Sequence, residues 1–276
     1  MAVQERYGAG RFGRFGLLGP VGPRGRSGPY GGDTAAGAAA QLALLALLHQ
    51  AVGLGPTGWL TGAVCAVATW AALTHAMRTT PIPYFGPANR VTLARATLVG
   101  GVTALVADSF GPAVMPERAS VPALIGLATV ALVLDAVDGH VARRTGTVTP
   151  LGARFDMEVD AFLILVLCVH LAMPLGAWVL SIGAMRYLYV AASWGLPWLR
   201  RPLPPSTARK AVAAFQGIVL VVAAAGIVPR VAAVAAVGGA LALLVWSFGR
   251  DIAWQWRANE PRPTSRRAAP DRRPTP

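Results

Sequence analysis

Acidic residues are scarce in this chain. Twelve aspartates and glutamates stand against 25 lysines and arginines, and charged residues make up only 13% of its 276 positions. That is about half the charged share of an ordinary soluble domain, which excludes a well-solvated globule. Cysteine is nearly missing: Cys65 and Cys168 lie in separate apolar stretches. Two thiols so placed give no disulfide framework and no zinc spacing, so both read as packing residues. No segment recurs with a period of 20–50 residues, so the chain is not a repeat array. No apolar segment begins before residue 35, which argues against a cleaved signal peptide.

What the chain has in quantity is apolar length. Hydrophobic residues make up 54% of it, and its mean hydropathy is +0.51. Eight runs approach the ~17–25 residues that a helix needs to cross a bilayer. They cover residues 35–54, 58–77, 91–107, 121–141, 155–173, 177–195, 211–228 and 232–248. Turn formers such as Gly55-Pro56, Pro116, Pro150, Pro174 and Pro229 separate most of them. The expectation is an all-α, polytopic transmembrane bundle of about eight spans.

The net charge of +13 raises the question of nucleic acid, and its distribution answers it. With both termini on the inner side, the tails and inner loops hold nearly all the basic residues, while outer loops keep only Arg118 and Arg230. This is the positive-inside pattern, and it predicts a cell-membrane protein with cytoplasmic termini. The basic tails lack interleaved aromatics, so they are expected to face anionic lipid headgroups and not nucleic acid. Residues 1–34 and 257–276, rich in Arg with Gly or Pro, read as disordered cytoplasmic tails.

The few acids are concentrated. Asp135, Asp138, Asp156, Glu158 and Asp160 place five of the twelve within 26 positions. Carboxylates at that density in apolar helices need a compensating charge. Asp135 and Asp138 share one helix face, and Asp156 and Asp160 share a face of the next. A hairpin turning at Gly146 and Pro150 would gather four carboxylates near the inner interface. Two divalent ions would balance them, and hard oxygen ligands select Mg²⁺ or Mn²⁺. Gly139 and Ala142 leave room beside the acids, and Arg143 can offer its planar fork to a phosphate. Metals, an arginine and a carboxylate able to take a proton make a diphosphate-handling site.

In order, Asp135, Asp138, Gly139, Ala142, Arg143, Gly152, Asp156 and Asp160 spell D-x2-D-G-x2-A-R-x8-G-x3-D-x3-D. This resembles the signature of the CDP-alcohol phosphotransferases, with no departure at any defined position. The stretch PANRVTLAR is similar to the opening helix of that family, and Arg186 and Lys210 stand where members carry basic residues. The resemblance implies a six-helix core over residues 78–256, with two additional helices over 35–77. It implies that Asp135, Asp138, Asp156 and Asp160 hold two Mg²⁺ or Mn²⁺ ions, with Asp160 also acting as general base. It implies that Asn89, Thr92, Gly139, Ala142 and Arg143 contact the cytidine diphosphate of CDP-diacylglycerol or another CDP-alcohol. Arg186 and Lys210 would then bind a small alcohol acceptor, with glycerol phosphate and inositol phosphate the leading choices. CMP would leave, and a homodimer is expected.

Glu158 falls on another face from its aspartate neighbours, so it reads as solvated or arginine-paired. Two other functions are weighed. Intramembrane prenyltransferases also use Asp-rich helices, but they keep two acidic motifs in separate halves of the chain. A divalent-cation transporter would use the same carboxylates, yet no inverted repeat is visible here.

Overall fold

The computed structural model describes residues 30–79, 87–111, 117–145, 150–204 and 206–259. Of the expected tails, 1–34 and 257–276, the parts at 1–29 and 260–276 lie outside the described residues, as does the turn residue Gly146, whereas residues 30–34 and 257–259 are helical and not disordered. Within them the chain is all α, with eight helices, two 3-10 turns and no strand. The helices are α1 (Tyr30–Val52), α2 (Pro56–Thr79), α3 (Pro87–Asp108), α4 (Glu117–Thr145), α5 (Pro150–Leu175), α6 (Leu180–Gly195), α7 (Thr207–Ala224) and α8 (Arg230–Asn259). The 3-10 turns are Ala177–Val179 and Pro197–Arg200.

Local chemistry sets the ends. Proline opens α2, α3 and α5, where its missing N–H costs nothing and its fixed φ already suits a helix. Ser206 caps α7, its hydroxyl accepting the Arg209 backbone N–H. α1 stops at Gly53, whose φ of 74° is open to glycine, and its N–H donates to the His49 carbonyl at 2.9 Å.

Every expected span coincides with a helix. Among the described residues, six helices (α2, α3, α4, α5, α7 and α8) are long and apolar enough to cross a membrane. α1 contributes a shorter apolar stretch, Ala36–Val52. α6 has 16 residues, about 24 Å of helix, and the 3-10 turn at Ala177–Val179 leads into it. Gly176, with a φ of 109°, breaks the helical path after α5, and the 3-10 turn takes up the three residues between it and α6. The protein is therefore a multi-pass helical membrane protein. Large apolar side chains such as Leu60, Val67, Leu188, Ile218 and Val231 are exposed on the bundle's outside, where lipid takes the place of water.

Most helix ends lie a few residues from the ends of the apolar runs, and the largest differences are at the two outermost helices. α1 begins at Tyr30, ahead of residue 35, and α8 continues past Phe248 to Asn259. The end of α8 is held by polar contacts that hydropathy does not register. Buried Gln255 donates to the Leu199 carbonyl at 3.0 Å and the Arg201 carbonyl at 2.9 Å. Its Oε1 accepts the Tyr189 hydroxyl at 2.8 Å.

α3 is the axis of the bundle, packing against α1, α2, α4 and α5. α5 carries the packing onward to α6 and α7. The core joins Leu45 of α1, Val102 and Leu105 of α3, Ala128 of α4, Leu163 and Leu167 of α5, Leu220 of α7 and Val237 of α8. Small residues allow the close approaches, as is usual where helices cannot rely on water to drive them together. At Gly183 of α6, a Cβ would stand 2.7 Å from the Leu165 Cα.

Candidate active site

α3 determines how the acids meet. Among the described residues α4 and α5 share little direct contact, and α3 packs on both. The simple hairpin expected from the sequence is therefore a three-helix arrangement. Asp135 comes from α4, Asp156 and Asp160 from α5, and one carboxylate oxygen of each lies within 4.8 Å of the others. Between them sits Arg95 of α3, whose side chain is only 1% exposed. Its Nη1 pairs with Asp156 Oδ1 and stands 3.1 Å from Asp135 Oδ1, and its Nη2 pairs with Asp160 Oδ1. The three carboxylates are 42%, 32% and 39% exposed, so the cluster is buried on the arginine side and open on the other.

The donor set suits a hard divalent ion. Oxygens around one such ion, each at ~2.0–2.6 Å, lie no more than about 4–5 Å apart, and the three carboxylates are close enough to meet that limit. Carboxylates are also the ligands that favour Mg²⁺ and Mn²⁺ over softer metals.

The other expected residues divide into two groups. Thr92 is buried on α3, three residues before Arg95 and so on the same face. Asn89 lies in the first turn of α3, and Asp138, Gly139, Ala142 and Arg143 lie on the last turns of α4. The side chains of these five are outside the described residues. Gly152 lies in the first turn of α5. Arg186 of α6 pairs with Glu158 of α5, the arginine-paired role expected for that glutamate. The Arg186 Nε is buried and has no hydrogen-bond partner among the described residues. Lys210, in the first turn of α7, is exposed. Its neighbour Arg209 pairs with Asp251 of α8 at 3.2 Å, so that side chain is committed to joining two helices.

Arg95 is the site residue that the sequence reading missed. A signal was present. An arginine inside an apolar helix is costly and turns toward a partner, the same argument that singles out Arg186. Arg95 also follows Thr92 by three residues within PANRVTLAR.

A membrane-spanning helical bundle with three carboxylates set around a buried arginine has a site that could hold a divalent ion. The chain is a member of the CDP-alcohol phosphatidyltransferase family, whose family model matches residues 85–246. The match runs from just before α3 into α8 and leaves α1 and α2 outside it. No curated protein and no solved structure matches the chain. Membership makes the protein an enzyme that transfers a phosphatidyl group from a CDP-alcohol, in a family that uses divalent metals.

Proposed function

We propose that the enzyme takes CDP-diacylglycerol as donor and a phosphorylated polyol, glycerol phosphate or inositol phosphate, as acceptor. The carrying observation is the convergence of Asp135, Asp156 and Asp160 within 4.8 Å, in a chain whose family signature is intact. Asp135, Asp138, Asp156 and Asp160 would hold two Mg²⁺ or Mn²⁺ ions. Bound there, such ions would supply charge neutralisation for the donor diphosphate. Asn89, Thr92, Gly139, Ala142 and Arg143 contact the cytidine diphosphate, with the small residues letting it approach α4. Asp160 accepts the proton of the acceptor hydroxyl. That oxygen forms a bond to the phosphorus bearing diacylglycerol, the phosphoanhydride bond breaks, and CMP leaves with the electron pair. Most of the remaining work is positioning.

The acceptor assignment rests on Arg186 and Lys210, two cations that suit an anionic substrate. The unsatisfied Nε of Arg186 supports it, because a buried guanidinium N–H gains most from an anionic acceptor. The site faces the cytoplasm, since the basic residues gather at that end, and a homodimer is the expected assembly.

Purified protein, CDP-diacylglycerol, Mg²⁺ and a panel of alcohols test this directly, with lipid mass spectrometry as readout. The expected result is CMP release that depends on Mg²⁺ and on a phosphorylated polyol, and that stops on chelation. Incorporation of serine or another unphosphorylated alcohol would reassign the acceptor. Metal flux into vesicles without any cytidine nucleotide would favour transport instead.

A further inference from the structure

We propose that Arg95 is the cationic floor of the site, a positioning residue that sets three carboxylates in ligand geometry before an ion arrives. The inference rests on the metal-assisted reading above and assigns a residue which that reading leaves without a role.

The burial pattern carries the argument. Arg95 is almost fully enclosed, whereas its three carboxylate partners are each about one-third to two-fifths exposed. The guanidinium therefore meets them from the protein side, and the opening lies opposite. Every one of these contacts engages Oδ1. A carboxylate has a second oxygen with which to meet an ion, and fixing one oxygen fixes the direction of the other.

Charge gives the second argument. Three acidic groups with oxygens inside 4.8 Å repel one another strongly when no cation is near. Left alone they would splay apart. Arg95 supplies an opposite charge in a planar fork with two nitrogens to share. Nη1 spans the gap between α4 and α5 by meeting Asp135 and Asp156, and Nη2 fixes Asp160 one turn further along α5. Lysine would bring the charge without the fork. Because α3 lies against both α4 and α5, the same side chain also sets how far apart the two acid-bearing helices stand. Partners that orient metal ligands in this way affect metal affinity itself, commonly by ~10–100-fold.

The test is Mn²⁺ binding to the full-length protein in detergent, without substrate, read by the spin-resonance signal of free Mn²⁺. Arg95→Gln should weaken Mn²⁺ binding by about tenfold or more, and Arg95→Lys should recover only part of the loss. Unchanged or tighter binding in Arg95→Gln overturns the proposal, since the guanidinium would then be a bystander or a competitor for the ion. Should Arg95→Gln fail to fold, Arg95→Lys decides alone. Weaker Mn²⁺ binding at an unchanged melting temperature supports the role, and wild-type binding overturns it. Wild-type protein that binds Mn²⁺ yet releases no CMP would remove the donor assignment only, and the variant comparison would still judge Arg95. Wild-type protein that binds no Mn²⁺ overturns both.

Discussion

The carboxylate of Asp108, at the last position of α3, accepts the backbone N–H of Gly58 in the first turn of α2 at 2.9 Å. Its other oxygen accepts the Gly55 N–H at the same distance. One buried acid thus caps a helix from a neighbouring element, meeting two of the N–H groups that the start of α2 leaves without an intrahelical partner. The negative charge also stands at the positive end of the α2 dipole. Through this contact the two helices outside the family match are fastened to α3, the helix that carries Arg95.

The contact predicts a stability effect separate from chemistry. Asp108→Ala strands two donors, one buried and one partly buried, and should cost roughly 2–4 kcal/mol, since hydrogen bonds to charged groups are worth ~1.5–3 kcal/mol each and part is recovered by relaxation. Asp108→Asn keeps an acceptor oxygen and should lose about half as much. Thermal unfolding in detergent reads both. A melting temperature unchanged in Asp108→Ala would show that α2 does not depend on this cap.

A second effect comes from the seam between α5 and α6. A Cβ at Gly183 would meet the Cα and side chain of Leu165, and the Cα cannot move aside. Gly183→Leu should push α6 away from α5, at a cost of about 1–3 kcal/mol from overpacking. Arg186 lies one turn along the same face, so its pairing with Glu158 should break as well. Gly183→Ala, with only one added carbon, should lower stability less. If Gly183→Leu melts like wild type and keeps its acceptor preference, the two helices are not in the contact described.

The fold was legible because bilayer thickness imposes one length on every span, and apolar runs report it directly. What hydropathy does not register is the polar stitching beyond the membrane width. The run ending at Phe248 reflects the end of the apolar segment, whereas the helix end at Asn259 is held by Gln255 reaching Leu199 and Arg201. At the site, helical spacing foretold that Asp156 and Asp160 share a face, and it foretold the separate direction of Glu158. It could not foretell which helix would stand between the acids, because i, i+3 and i, i+4 rules speak only within one helix. Arg95 is a tertiary partner 61 residues from Asp156 in sequence, at a separation that no local spacing encodes.

Arg186 and Glu158 make a pair whose two halves should behave differently. The pair is partly solvated, with Glu158 56% exposed, so its own worth is under about 1 kcal/mol. Glu158→Gln should therefore leave stability within about 0.5 kcal/mol and change the acceptor KM by no more than roughly threefold. Arg186→Ala should raise the acceptor KM by about tenfold or more, with a smaller effect on donor KM, because a charge-assisted contact is lost. Steady-state kinetics with each substrate varied in turn separates the two. Equal effects on donor and acceptor would reduce Arg186 to a helix-joining residue.

Asp160 has two tasks in the proposed reaction, and the amide variant can tell them apart. Asp160→Asn keeps the size of the side chain and one carbonyl oxygen that can still accept from the Arg95 Nη2. The amide cannot take a proton from the acceptor hydroxyl, and general-base removal alone costs ~10²–10⁴-fold in rate. CMP release should therefore fall by at least about a hundredfold. CDP-diacylglycerol binding depends more on Asp135, Asp138 and Asp156, and should weaken by less than about tenfold, the scale of one lost ligand-shell contact. Calorimetric titration of the CDP-alcohol beside a CMP-release assay measures the two losses separately. If turnover and binding fall together, Asp160 acts chiefly as a ligand; if turnover survives, the proton leaves by way of another group.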